Sequence, residues 1–245
     1  MTAQSGSIPL SRPQIQPRGL SPAALIAGYA SLCLLPLVMA FVLALVHGHE
    51  PRDLFRELSG GLIMVAYVMM LAQFVLSGRF ESVSGRAGID RTMRFHQVAG
   101  WVVLGAVILH PLLYAAPRLW PNPLDAVTQV HRMFGSAGLR TGVIAWWLTV
   151  LLVPLAVWRD RLPFGYEIWR LSHGLFAIAI ALFATHHTLR VGTHSADRWL
   201  ATLWVLATAA AILCMVYIYI AKPLMKRTMP IGCCRTARSP TGPGS

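Results

Sequence analysis

Six stretches of this chain carry no Asp, Glu, Lys or Arg: residues 19–49, 58–78, 95–117, 141–158, 171–189 and 199–221. A helix needs roughly 20 mostly apolar residues to cross about 30 Å of hydrocarbon, so each stretch is long enough, or nearly so, to span a bilayer. Within lipid every backbone N–H and C=O has to be paired inside the protein, and long continuous apolar segments meet that demand as helices. The sequence therefore predicts an all-α integral membrane protein, a bundle of six transmembrane helices. At 56% hydrophobic and 12% charged residues, the chain is also far more apolar than a soluble domain of its length.

The loops set an expected orientation, because cytoplasmic loops are enriched in Lys and Arg. One side collects Arg12, Arg18, Arg79, Arg86, Arg91, Arg94, Arg159, Arg161, Arg170, Lys222, Lys226, Arg227, Arg235 and Arg238, fourteen in all. The other side has seven: Arg52, Arg56, Arg118, Arg132, Arg140, Arg190 and Arg198. Both termini are thus expected in the cytoplasm. The net charge of +12 does not point to nucleic acid, since the basic residues are scattered through short loops between spans. Membrane lipids with anionic headgroups are the expected partners.

The organisation reads as one domain. Residues 1–22 form a polar N-terminal arm without the features of a cleavable signal peptide, residues 23–222 form the helical domain, and residues 223–245 form a basic tail of disordered composition. The longest outer connection, about 117–140, contains Pro117, Trp120, Pro121 and Pro123 and suits either a structured lid or, more plainly, a passive loop. Cys33 and Cys214 fall in spans and read as small buried hydrophobes, while Cys233 and Cys234 lack the spaced second pair of a zinc site.

The chemistry lies in the histidines. His96 and His110 are fourteen residues apart in the third span; in the fifth, His173 precedes the adjacent His186 and His187 by thirteen and fourteen. Ionisable groups inside spans are costly and have partners, and imidazole is a common ligand of haem iron. Fourteen residues rise about 21 Å and return to within about 40° of the starting face, so each helix can present two imidazoles to one neighbour at two depths. The third and fifth spans run in the same direction. His96 therefore matches His173 at the inner level, and His110 matches His186 or His187 at the outer level. Ideal helix geometry favours His187, because a thirteen-residue step is displaced by about 140°, although a kink or π-bulge reverses that preference. A lone intramembrane histidine reads as a core hydrogen-bonding group or part of a proton path. Four or five on two helices at matched depth read as axial ligands of two stacked haems.

Two segments resemble a known family. RFHQVAGWVVLGAVILHPLLY (Arg94 to Tyr114) and YEIWRLSHGLFAIAIALFATHH (Tyr166 to His187) resemble the ferric reductase-like transmembrane domain shared by ferric reductases and NADPH oxidases. Within the second, Tyr166, Glu167, Trp169, Arg170 and His173 resemble the bacterial branch, and GIDRTMRFH adds to the likeness. The resemblance covers roughly residues 25–222. It implies two b-type haems that carry electrons from a cytoplasmic flavin, FAD or FMN, to an extracytoplasmic acceptor: a ferric chelate, dioxygen or a redox partner. It also implies a multi-pass protein of a bacterial inner membrane. Fifth-helix spacing in bacterial members is commonly thirteen, which tips the expectation slightly toward His186.

Axial ligation on both faces leaves no open iron position, so the expected outer reaction is electron transfer rather than chemistry bound to iron. Longer family members continue into flavin- and nicotinamide-binding domains. Here 24 residues follow Ala221, without a Gly-rich cofactor loop. The flavin is therefore expected from a separate cytoplasmic reductase or a missing flavin/NAD(P) domain, and this chain alone is not expected to oxidise NAD(P)H.

Other residues carry weaker expectations. Arg91, Arg94 and Arg170 stand where they can pair with carboxylates of the inner haem, and Arg132 or Arg190 with those of the outer one; interfacial anchoring is the plainer role. Gly100 and Gly105 suit either a porphyrin face or close helix packing. His47, His49, His131 and His194 fall in outer loops and read as solvated rather than as metal or proton carriers. Two other functions stay open. One is the haem subunit of a methionine sulfoxide reductase system, whose third helix is expected to lack the first histidine, so His96 argues against it. The second is a non-haem transporter or scaffold that uses the histidines for protons or metal.

Overall fold

The computed structural model describes residues 21–50, 52–77, 88–163 and 165–228. Residues 1–20 of the N-terminal arm, residues 78–87 with Arg79 and Arg86, and the tail from residue 229 with Cys233 and Cys234 lie outside the described residues. Regular structure among the described residues is helical: α1 (Pro22–His47), α2 (Leu54–Ala72), α3 (Ile89–Leu119), α4 (Pro123–Gly135), α5 (Arg140–Val157), α6 (Tyr166–Val191), α7 (Arg198–Val216) and α8 (Lys222–Thr228). A π-helical turn, Tyr217–Ala221, joins α7 to α8. Among the described residues, six helices are long and apolar enough to cross a membrane: α1, α2, α3, α6, α5 with the turn before it, and α7 continued to Met225. The protein is a multi-pass integral membrane protein.

Local chemistry fixes where these helices begin. Ser21 Oγ accepts from the Ala24 N–H at 3.2 Å, with Pro22 in the first turn, where its missing N–H costs nothing. Asp53 and Asp197 cap α2 and α7 in the same way, accepting from Arg56 at 3.1 Å and Trp199 at 2.8 Å. α1 stops at Gly48, whose φ of 64° is open to glycine and strained for other residues. The flanks of the bundle expose Ile26, Phe41, Leu175 and Leu213, each about two-thirds accessible, as suits side chains facing acyl chains.

The core lies among α1, α2, α6 and α7, around the fully buried Trp204, Leu200 and Ala181. Hydroxyls pin three of these helices together. Tyr67 of α2 bonds Thr185 of α6 and, at 2.8 Å, Thr208 of α7; Thr185 and Thr208 are also 2.8 Å apart. In hydrocarbon such bonds join helices that no hydrophobic force drives together. The chief packing partners of α3 are α2, α4 and α5, and those of α6 are α5 and α7. Space is left between α3 and α6.

One join explains how α5 seats on α3. Pro111 has no N–H, so the carbonyl of Val107 loses its usual helical donor. The Trp146 indole of α5 donates to that carbonyl at 3.0 Å. A group the helix cannot satisfy is thereby satisfied across the interface.

Candidate functional site

Two cavities open between α3 and α6. The first, about 650 Å³, is lined by His96 of α3 and His173 of α6. Their ring centroids are 6.4 Å apart and their planes 57° apart. With metal–nitrogen bonds of about 2 Å on either side, and each ring nitrogen roughly 1 Å from its ring centre, two imidazoles sharing one metal put their centroids roughly 6 Å apart. Trp169, one turn before His173, sits 5.3 Å from its ring. Arg170 also faces this cavity, with Nη2 2.8 Å from Glu167 Oε2 and its guanidinium 5.4 Å from the Tyr219 ring. Tyr219 comes from the π-helical turn, and its hydroxyl donates to the Arg170 carbonyl at 3.0 Å. The turn thus aims a tyrosine that an ideal helix would rotate elsewhere.

The second cavity, about 380 Å³, is lined by His110 of α3 and His187 of α6. Adjacent in sequence, His186 and His187 point apart. His186 is exposed, with Nδ1 3.2 Å from Thr141 Oγ1, whereas His187 is half-buried in the cavity wall. His187, not His186, stands with His110 on the cavity wall. Gly142 of α5 makes the room, since a β-carbon there would lie 2.5 Å from His187 Nδ1. Sequence reasoning missed Gly142. It also missed Ser59 of α2, whose Oγ lies 2.7 Å from His110 Nδ1.

Several buried polar atoms have no hydrogen-bond partner among the described residues. They include Nδ1 of His96, His173 and His187, Nε of Arg170, and both amide atoms of Gln73 on the wall of the first cavity. Unpaired groups of this kind cost about 1–3 kcal/mol each unless a ligand supplies the missing bond. Among the described residues, no group of three or more His, Cys, Asp or Glu side chains could hold a metal ion. The donor sets here are imidazole pairs.

The remaining arginines divide clearly. Arg91, Arg94, Arg132 and Arg190 are exposed and line neither cavity. At the rim of the second cavity the cation is Arg52, with Nε 3.3 Å from Glu57 Oε1 and Nη1 donating to Thr193 at 2.7 Å. His194 is held rather than solvated, with Nε2 3.1 Å from Glu57 Oε2. His47 pairs with Asp197 at 3.4 Å, while His49 and His131 are exposed. Residues 123–135 form a helix, not a passive loop, and Gln129 and Phe134 of α4 line the second cavity. Gly100 lines the first cavity; Gly105 lines neither.

A septum separates the two chambers. Met70, Val103, Thr149 and Ile180 line both, and the Thr149 hydroxyl is engaged by the Ala145 carbonyl at 2.8 Å.

A family model described as ferric reductase like transmembrane component matches residues 62–184, about half of the chain. The chain belongs to this family. In this ferric reductase-like protein the matched region runs from α2 into α6 and includes His96, His110 and His173, while His186 and His187 follow just beyond it. An uncharacterised protein of Archaeoglobus fulgidus is 28% identical over 137 residues, which cover 55% of this chain and 74% of that one. No solved structure matches. Membership implies transmembrane electron transfer in general terms.

Proposed function

We propose that this protein carries electrons across the membrane through two bis-histidine b-type haems, one held by His96 and His173, the other by His110 and His187. The observation that carries the reading is the 6.4 Å separation of the His96 and His173 rings, the spacing of two imidazoles on one metal. Members of this family typically bind haem and work with flavin. Haem supplies one-electron chemistry when bound.

The chain's own residues do the rest. The Arg170 guanidinium and the Gln73 amide offer donors to carboxylates at the first cavity, and Arg52 offers a cation at the second. The septum carries no charged side chain, and the proton of its one hydroxyl, that of Thr149, is committed to the Ala145 carbonyl. We assign the His96 end to the cytoplasm on the distribution of Lys and Arg, with a flavin-bearing reductase as donor. The acceptor lies on the other side, beside the Arg52 rim.

Colour tests the reading. Purified, haem-replete protein is expected to show a reduced-minus-oxidised b-type spectrum and about two haems per chain. Replacing His173 or His187 by Ala should each remove one haem, and His186→Ala should remove none. A colourless protein would sink the proposal, and loss of haem in His186→Ala with retention in His187→Ala would reverse the outer assignment.

A further inference from the structure

We infer that Ser59 is the positioning residue of the outer haem site, its hydroxyl holding the His110 imidazole in the tautomer that leaves Nε2 free to bind iron. The inference rests on the two-haem reading. Ser59 is completely buried, and its Oγ lies 2.7 Å from His110 Nδ1 and 3.0 Å from the His110 carbonyl oxygen. A hydroxyl has one proton to donate, and a carbonyl can only accept. The Ser59 proton therefore goes to the carbonyl, and its oxygen accepts a proton from Nδ1. In a neutral imidazole that assignment leaves the lone pair on Nε2.

The carbonyl bond does more than fix the proton. It ties Ser59 to the backbone of the same residue whose ring it orients, so side chain and main chain of His110 are held by one atom of α2. The other three imidazoles differ: Nδ1 of His96, His173 and His187 is buried with no partner among the described residues. One of the four proposed ligands is thus oriented by a neighbouring helix. An acceptor on Nδ1–H makes the opposite nitrogen a stronger donor, and a stronger donor favours oxidised iron. Removing the acceptor should raise the potential of one haem and leave the other unchanged.

The test is a potentiometric titration of purified Ser59→Ala, Ser59→Cys and Ser59→Thr proteins, with haem content and the low-spin ferric EPR signals recorded alongside. Ser59→Ala is expected to keep two haems, with one couple shifted upward, one EPR signal altered and the second set as in the parent. Ser59→Thr, which keeps the hydroxyl, should restore the parent values. Ser59→Cys, of similar size but a weaker acceptor, should shift the same couple by less. Two unchanged couples in Ser59→Ala would overturn the inference, as would two couples that move together, the mark of general repacking. If Ser59→Ala does not fold, an unmoved couple in a fully loaded Ser59→Cys overturns it instead. A parent protein that binds no haem fails the underlying reading itself, a result distinct from two loaded haems that ignore Ser59.

Discussion

A β-carbon at position 142 would lie 2.5 Å from Nδ1 and 2.6 Å from Cε1 of His187, closer than real β-carbons approach such atoms. Gly142→Ala is therefore expected to push the imidazole off its place and lower haem content from two to one. Gly105→Ala, which meets nothing within 4 Å, should leave both haems bound. A haemochrome assay of the two variants decides the point, and equal haem content would refute it. That His187 rather than His186 faces the cavity was partly legible: α6 runs as an α-helix from Tyr166 to Val191, so the fourteen-residue step keeps its face. The π-turn that would have reversed the preference lies in the last span instead. Ser59, Gln73, Arg52 and Gly142 were not legible, because each meets its histidine or cavity through tertiary packing that no local spacing encodes. The arginines chosen for nearness along the chain, Arg91 and Arg94, turned out exposed for the same reason.

Helices were easier to read than the joins between them. Apolar length alone marks the six spans, since the bilayer sets that length. α4 was obscured by Pro117, Trp120, Pro121 and Pro123, which suggest a loop, yet Asn122 followed by Pro123 is a helix start: Asn122 Oδ1 accepts from the Leu124 N–H at 3.1 Å. The join between α3 and α5 depends on Pro111 and Trp146, 35 positions apart, and only the folded chain brings them together. Trp146→Phe keeps most of the ring's bulk but leaves the Val107 carbonyl without its donor. We expect a loss of about 1–3 kcal/mol, the usual cost of a buried unpaired polar group, seen as a lower melting temperature in detergent. An unchanged melting temperature would mean the indole bond contributes nothing to the join.

At the scale of the whole protein, the proposed orientation has both ends of the six-span chain on one side, the cytoplasmic one, on the excess of Lys and Arg there. A fluorescent reporter fused after Ser245 should glow, and one inserted at Gly138, between α4 and α5, should stay dark. The opposite pattern would turn the electron path around. The septum of Met70, Val103, Thr149 and Ile180 then has a consequence for the membrane as an electrical device. Three of its four residues are apolar and none is charged, so on the proposed reading each electron that leaves moves a net charge through most of the dielectric with no compensating cation in that wall. A resting potential negative inside assists that movement by up to about 2.3 kcal/mol per 100 mV for a full crossing, and every turnover spends part of the voltage that helped it.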